Sequence, residues 1–174
     1  MSVGIIVNFS AGAHGRLNPE SRTQLAEAAL RDCGVEGRIV FTRGVGSAGG
    51  LAREMIEEGA TLLVALGGDG TVNDVASETV CSGLVFGIVP GGSGNGLARE
   101  LWIERRPADA WRTALQGAER TIDAGEIAGR LFFNVAGLGF DASLARIFNT
   151  FERRGLQNYI MSSLRELLSY DPAH

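Results

Sequence analysis

Lysine is absent from the chain, and all 16 basic residues are arginine. Chemistry that needs a Walker lysine, a protein-kinase strand lysine or a Schiff base is therefore excluded. Two histidines cannot supply a three-histidine metal site. The two cysteines, Cys33 and Cys81, lie far apart and outside any C-x-x-C pair, so no disulfide framework is implied; both read as buried free thiols in a reducing compartment. No apolar run approaches the roughly 18 residues of a membrane span. No charged leader or small-residue cleavage site precedes the strand-like run at Val3, and these absences together predict a cytoplasmic protein. A net charge of −4 with mostly scattered arginines lacks the clustered cations of a nucleic-acid footprint.

Glycine is abundant instead, with 25 in 174 residues, about twice the usual share. Many backbone positions must then approach something closely or take positive φ. The length allows one full domain plus a fragment. Val3 to Asn8 reads as a buried strand, and Asn18-Pro19-Glu20 opens a helix ending near Gly34. Arg38 to Thr42 is a second strand, and Ser47 is placed to cap a helix running to Glu58. The run Thr61 to Leu66 is apolar enough for a strand buried on both faces. A helix over Val72 to Val80, a strand over Leu84 to Val89 and helices from Asn95 and Pro107 follow. The β-α-β-α-β-α-β alternation predicts an α/β fold with a parallel sheet. Near Gly117 the pattern changes: Arg120 to Gly125 and Leu131 to Ala136 are β-rich around a short turn, and helical patterns cover Ser143 to Phe151 and Leu156 to Leu168. The expected organisation is an α/β nucleotide-binding domain over residues 1–117, then an incomplete β-rich domain over 118–174. On this reading the chain is a fragment of a longer enzyme, and the exposed strands of its second domain leave room for self-association.

Three glycine loops each follow a strand. In Gly67-Gly68-Asp69-Gly70-Thr71-Val72-Asn73-Asp74-Val75, glycines at a strand's carboxyl end let backbone amides approach phosphate at a helix start. A carboxylate there is costly beside phosphates. Asp69 is explained by a cation between it and the phosphates, by a proton taken from a substrate hydroxyl, or by a helix-capping role. The second loop, Pro90-Gly91-Gly92-Ser93-Gly94-Asn95-Gly96, adds Ser93 and Asn95 as side-chain donors suited to an anionic or nucleotide ligand. The third, Asn8-Phe9-Ser10-Ala11-Gly12-Ala13-His14-Gly15, is weak evidence alone, and His14 reads as a solvated loop residue. Gly44 to Gly49 and Gly137 to Ala142 match a dinucleotide fingerprint by letter, yet neither lies in the first β-α-β unit. Arg105-Arg106 and Arg153-Arg154 read as solvated helix-end charges, the second pair being kept as a phosphate contact near the ligand edge.

At GGDGTVNDV the chain resembles the diacylglycerol kinase catalytic-domain superfamily, which includes bacterial lipid kinases, sphingosine kinases and, more remotely, NAD kinases. PGGSGNGLARELWI resembles the lipid-kinase branch's second nucleotide loop. Asn8 to Gly15 is similar to the family's VNPxxG loop, with Phe9 replacing proline. Ile122 to Gly125 and Phe133 to Ala142 resemble segments opening the family's second domain. Where many bacterial members have NDFAR, this chain has Asn95-Gly96-Leu97-Ala98-Arg99, so an acidic residue linked to their magnesium network is missing.

The resemblance implies transfer of the γ-phosphoryl of ATP, with Mg2+ as cofactor, to a lipid hydroxyl of diacylglycerol or sphingoid-base type. The lipid would be reached by transient contact with a membrane surface. It implies nucleotide contacts from Asn8, Ser10, Gly67, Gly68, Gly70, Thr71, Asn73, Gly92, Ser93, Gly94 and Asn95. Asp69 would serve magnesium through water or act as base, and Asp141 would touch the acceptor or the magnesium network. An NAD kinase-like activity and a non-catalytic nucleotide-binding module are the alternatives.

Overall fold

The computed structural model describes residues 2–9 and 19–137. Four strands form one sheet: β1 (Val3–Val7), β2 (Gly37–Phe41), β3 (Leu62–Gly67) and β4 (Val85–Pro90). Their order is β2-β1-β3-β4 and every pair is parallel. β1 and β3 are buried along their whole length, as expected for strands covered on both faces.

Alternation along these strands sorts the core into two layers. Val3, Ile5, Val7, Leu62, Val64 and Leu66 pack with α1 (Pro19–Cys33) and with Trp111 of a later helix. Ile6, Leu63 and Ala65 face the other way, onto α2 (Ser47–Glu57) and Val75 of α3 (Asp69–Thr79). The chain steps from β1 outward to β2 and then back across β1 to β3. With right-handed crossovers that reversal puts α1 and α2 on opposite faces. It also makes the gap between the carboxyl ends of β1 and β3 a topological switch point, where open α/β sheets place ligands.

A short helix α4 (Gly96–Glu100) follows β4, and α5 (Pro107–Gln116) closes the layer beside α1. A small antiparallel hairpin comes next, β5 (Gly125–Ile127) and β6 (Arg130–Phe132). The chain divides into two compact units, Met1–Asn134 and Val135–His174. The first therefore extends past Gly117 to include the hairpin, and only three residues of the second are described. No helix among the described residues is long and apolar enough to cross a membrane.

Four expectations are corrected. α3 begins at Asp69, three residues before the expected Val72, so Asp69 and Gly70 form its first turn. Glycine is tolerated there because tertiary contacts of Asp69 hold the turn, which overrides weak helix propensity. Ser47 does not cap α2: Gly46 occupies the cap position at φ 77, and the Ser47 hydroxyl folds back to donate to the Gly44 carbonyl at 2.8 Å. The hairpin strands are shorter and close in on the turn, lying at 125–127 and 130–132 where the sequence suggested β-rich runs over 120–125 and 131–136. The reversal needs only Ala128 and Gly129, both at positive φ (51 and 73), a type I′ geometry that alanine does not advertise. Finally, both cysteines are free, but Cys81 is exposed in a left-handed turn after α3 and Cys33 is half-buried.

Candidate active site

The carboxyl ends of β1, β3 and β4 carry the three loops singled out above. β3 and β4 stay paired to their last residues, Gly67 opposite Pro90, and the Gly91 amide extends the pairing by donating to the Gly67 carbonyl at 2.8 Å. Beyond this point the loops touch through bare backbone. A Cβ on Gly92 would lie 2.5 Å from the Gly68 Cα, so only glycine fits.

Asp69 joins the two loops. Its Oδ2 accepts from the Asn95 amide at 2.9 Å and its Oδ1 from the Gly96 amide at 2.6 Å. The carboxylate thus sits on the amino end of α4, one loop away from its own helix. Asn95 is held in the left-handed region (φ 54), and its side chain closes its own loop. Asn95 Oδ1 accepts from the Gly92 amide, and Nδ2 donates to the Gly92 carbonyl, both at 2.8 Å. Ser93 and Gly94, at the loop tip, are exposed. The amino end of α3 has Gly68 as its cap residue and no side-chain cap. Its leading amides and positive dipole end therefore lie beside the Asp69 clasp.

The first loop joins this edge through Asn8. The Asn8 amide Nδ2 donates to Thr71 Oγ1 at 2.7 Å, and the Asn8 backbone amide donates to the Leu66 carbonyl at 2.9 Å. Thr71 is only 5% exposed. Arg22 on α1, 6% exposed, donates from Nη1 to the Asn8 carbonyl at 2.6 Å. Burial lowers the Arg22 guanidinium from arginine's usual pKa. Nothing in the sequence marked Arg22, which stands in an ordinary amphipathic helix; its only signal is its place in the first turn after the glycine loop.

Of the other expected site residues, Gly67 ends β3 and Gly70 lies in the exposed first turn of α3. Asn73 is directed at the hairpin, its Nδ2 donating to the Leu131 carbonyl at 3.3 Å. Its neighbour Asp74 is half-buried, and desolvation raises its carboxyl pKa above the usual carboxylate value. Ser10, Asp141, Arg153 and Arg154 lie outside the described residues, as does His14. Among the described residues no three His, Cys, Asp or Glu side chains form a metal-binding group. Asp69 is the carboxylate at this edge, and each of its oxygens accepts an amide bond with lone-pair capacity to spare. That donor set fits a magnesium ion held mainly by phosphates and water rather than by a protein cage.

A parallel sheet whose glycine loops meet beyond the neighbouring ends of β3 and β4, clasped by a carboxylate, has the layout of open α/β domains that take ligands at the carboxyl edge of the sheet. Residues 2–127 match the diacylglycerol kinase catalytic domain family, and the chain belongs to that family. A probable lipid kinase YegS-like from Pseudomonas aeruginosa is 37% identical over 134 residues, covering 75% of this chain and 44% of the relative. A diacylglycerol kinase from Bacillus subtilis is 35% identical over 113 residues, covering 63% and 37% respectively. The chain thus spans less than half the length of these relatives. A putative diacylglycerol kinase structure from Bacillus anthracis shares the fold, with TM-score 0.72 and 24% identity over 85% of this chain and 53% of that one.

Proposed function

We propose that this chain supplies the nucleotide-binding wall of a lipid kinase, which moves the γ-phosphoryl of ATP to a hydroxyl of a diacylglycerol or sphingoid-base lipid. The observation that carries the reading is the Asp69 clasp, which holds two glycine loops together beside the uncapped amino end of α3. The family's name and those of the relatives support the choice of kinase and of lipid.

In this reading the leading amides of α3 and the exposed tip Ser93-Gly94 take the nucleotide phosphates. Asn8 and Thr71 fix the floor between β1 and β3. With no lysine available, negative charge is met by backbone amides, by arginine and by a bound magnesium ion. That ion would neutralise phosphate charge, and Asp69 would either hold it through water or act as the base. The acceptor oxygen forms a bond to Pγ, the bond from Pγ to the bridging oxygen of ADP breaks, and the hydroxyl proton passes to a carboxylate. Asp69 is the candidate for that base within the described residues, and Asp141 is the candidate for contact with the acceptor.

Calorimetry of ATP with magnesium on the folded chain tests the first half of the proposal. Saturable heat is expected, and its absence would remove the inference. Labelled ATP offered with diacylglycerol, a sphingoid base and NAD in parallel tests the second half. Preference for NAD would replace the lipid with a dinucleotide.

A further inference from the structure

α4 ends in a motif whose bonds are complete. The Ile103 amide donates to the Ala98 carbonyl at 2.9 Å and the Trp102 amide to the Arg99 carbonyl at 3.0 Å. This is the Schellman pattern, and the residue following the helix cap must then be left-handed, a position usually given to glycine. Here it is Trp102, at φ 58. Ile103 supplies the hydrophobic contact that accompanies the motif, packing against the cluster of Val72, Ile88, Leu97 and Ala98. The indole itself packs into nothing: Trp102 is 86% exposed. The fold thus accepts a conformation that is costly for any residue with a Cβ, and uses it to hold its largest side chain in water.

We propose that Trp102 is an interfacial anchor that seats this edge of the protein on a lipid surface carrying negative charge. Tryptophan is the side chain suited to the headgroup region, with an apolar body and a polar N–H. Arg99, Arg105 and Arg106 flank it, are exposed, and outnumber the adjacent acids Glu100 and Glu104. Arg106 reaches Asp109 only at 3.7 Å and stays 80% exposed. Such arginines complement an anionic leaflet. Six residues separate Trp102 from Gly96, whose amide is bound by Asp69; at helical rise that is about 9 Å. An indole in the interface would therefore hold the clasp within a short reach of a lipid headgroup. The choice of partner rests on the lipid-kinase reading, whereas the test does not require turnover.

The chain contains two tryptophans, and Trp111 is 2% exposed, so a change in emission on adding vesicles reports on Trp102. With vesicles of phosphatidylcholine and phosphatidylglycerol, emission should shift to the blue and be quenched by brominated acyl chains, and Trp102→Phe should abolish the shift. Trp102→Gly should weaken vesicle binding about tenfold or more. It should also raise the melting temperature, because glycine relieves the left-handed strain. Arg105→Gln and Arg106→Gln should each weaken binding to the anionic vesicles by about fivefold and leave pure phosphatidylcholine unaffected. ATP titration in parallel separates the two readings: loss of ATP binding with the vesicle shift intact would fault the kinase proposal alone. The anchor is overturned by an unshifted wild-type emission or by Trp102→Gly binding vesicles normally. It is overturned equally if Trp102→Gly lowers the melting temperature, or if the emission moves with protein concentration in the absence of lipid, which would mean self-association.

Discussion

Replacing Asp69 by asparagine separates the two roles its carboxylate could fill. Both oxygens accept, from Asn95 at 2.9 Å and Gly96 at 2.6 Å. An asparagine retains one acceptor and turns an NH2 toward the other amide, so one bond is lost and two donors are opposed. A hydrogen bond to a charged group is worth about 1.5–3 kcal/mol; Asp69 is exposed, and screening brings the expected loss to the lower end, about 1–2 kcal/mol. That corresponds to roughly a 5- to 30-fold rise in the ratio of open to clasped loop. Hydrogen exchange at the Asn95 and Gly96 amides should accelerate by that factor, and ATP affinity should fall by no more than that factor. Gly94→Ala is the companion variant, since its Cβ would lie 2.5 Å from Asp69 Oδ2 and disturb the clasp while keeping the charge. Turnover in the complete enzyme should fall beyond the binding loss for Asp69→Asn but not for Gly94→Ala. Unchanged exchange at both amides in Asp69→Asn would refute the clasp. Equal turnover losses in the two variants would refute a chemical role for the carboxylate.

Two further perturbations test the packing and the electrostatics. Leu63 is fully buried between the sheet and α2, and Leu63→Ala should cost about 2–5 kcal/mol in denaturant unfolding; a loss under half of that would mean the layer collapses around the void. Asp74 has a pKa raised by desolvation, so between the unfolded value near 3.9 and its higher folded value the native state holds the extra proton. Stability from this group is then lost as pH rises through that window. Asp74→Asn should raise the melting temperature more at pH 7 than at pH 4, and an equal change at both would contradict the assignment.

The alternation of apolar strands with helical segments made the sheet readable, because β1 and β3 carry continuous apolar runs that suit only a strand covered on both faces. The glycine loops were equally visible. What they do was not. Asp69 meets residues 26 and 27 positions away, and Asn8 meets Thr71 across 63, distances over which local pattern carries no information. Asn95 looked like a free donor, yet its amide is spent on Gly92. The early start of α3 was hidden by glycine's poor helix propensity, which a first turn held by tertiary contacts overrides. Trp102 gives no signal in the sequence, because its backbone conformation, not its identity, makes it unusual.

Because the Gly91 amide and Gly67 carbonyl continue the β3–β4 ladder into the loops, the clasp is read out by strand register. A slip of one residue between these parallel strands would displace Asp69 by about 3.3 Å relative to the Asn95 and Gly96 amides and turn every core side chain of the slipped strand to the opposite face. The carboxylate can close on both amides only when the sheet has assembled correctly. Nucleotide capture would then serve as a proofreading signal: a misassembled sheet has no working loops, and ligand present during folding would draw the population toward the one register that binds it.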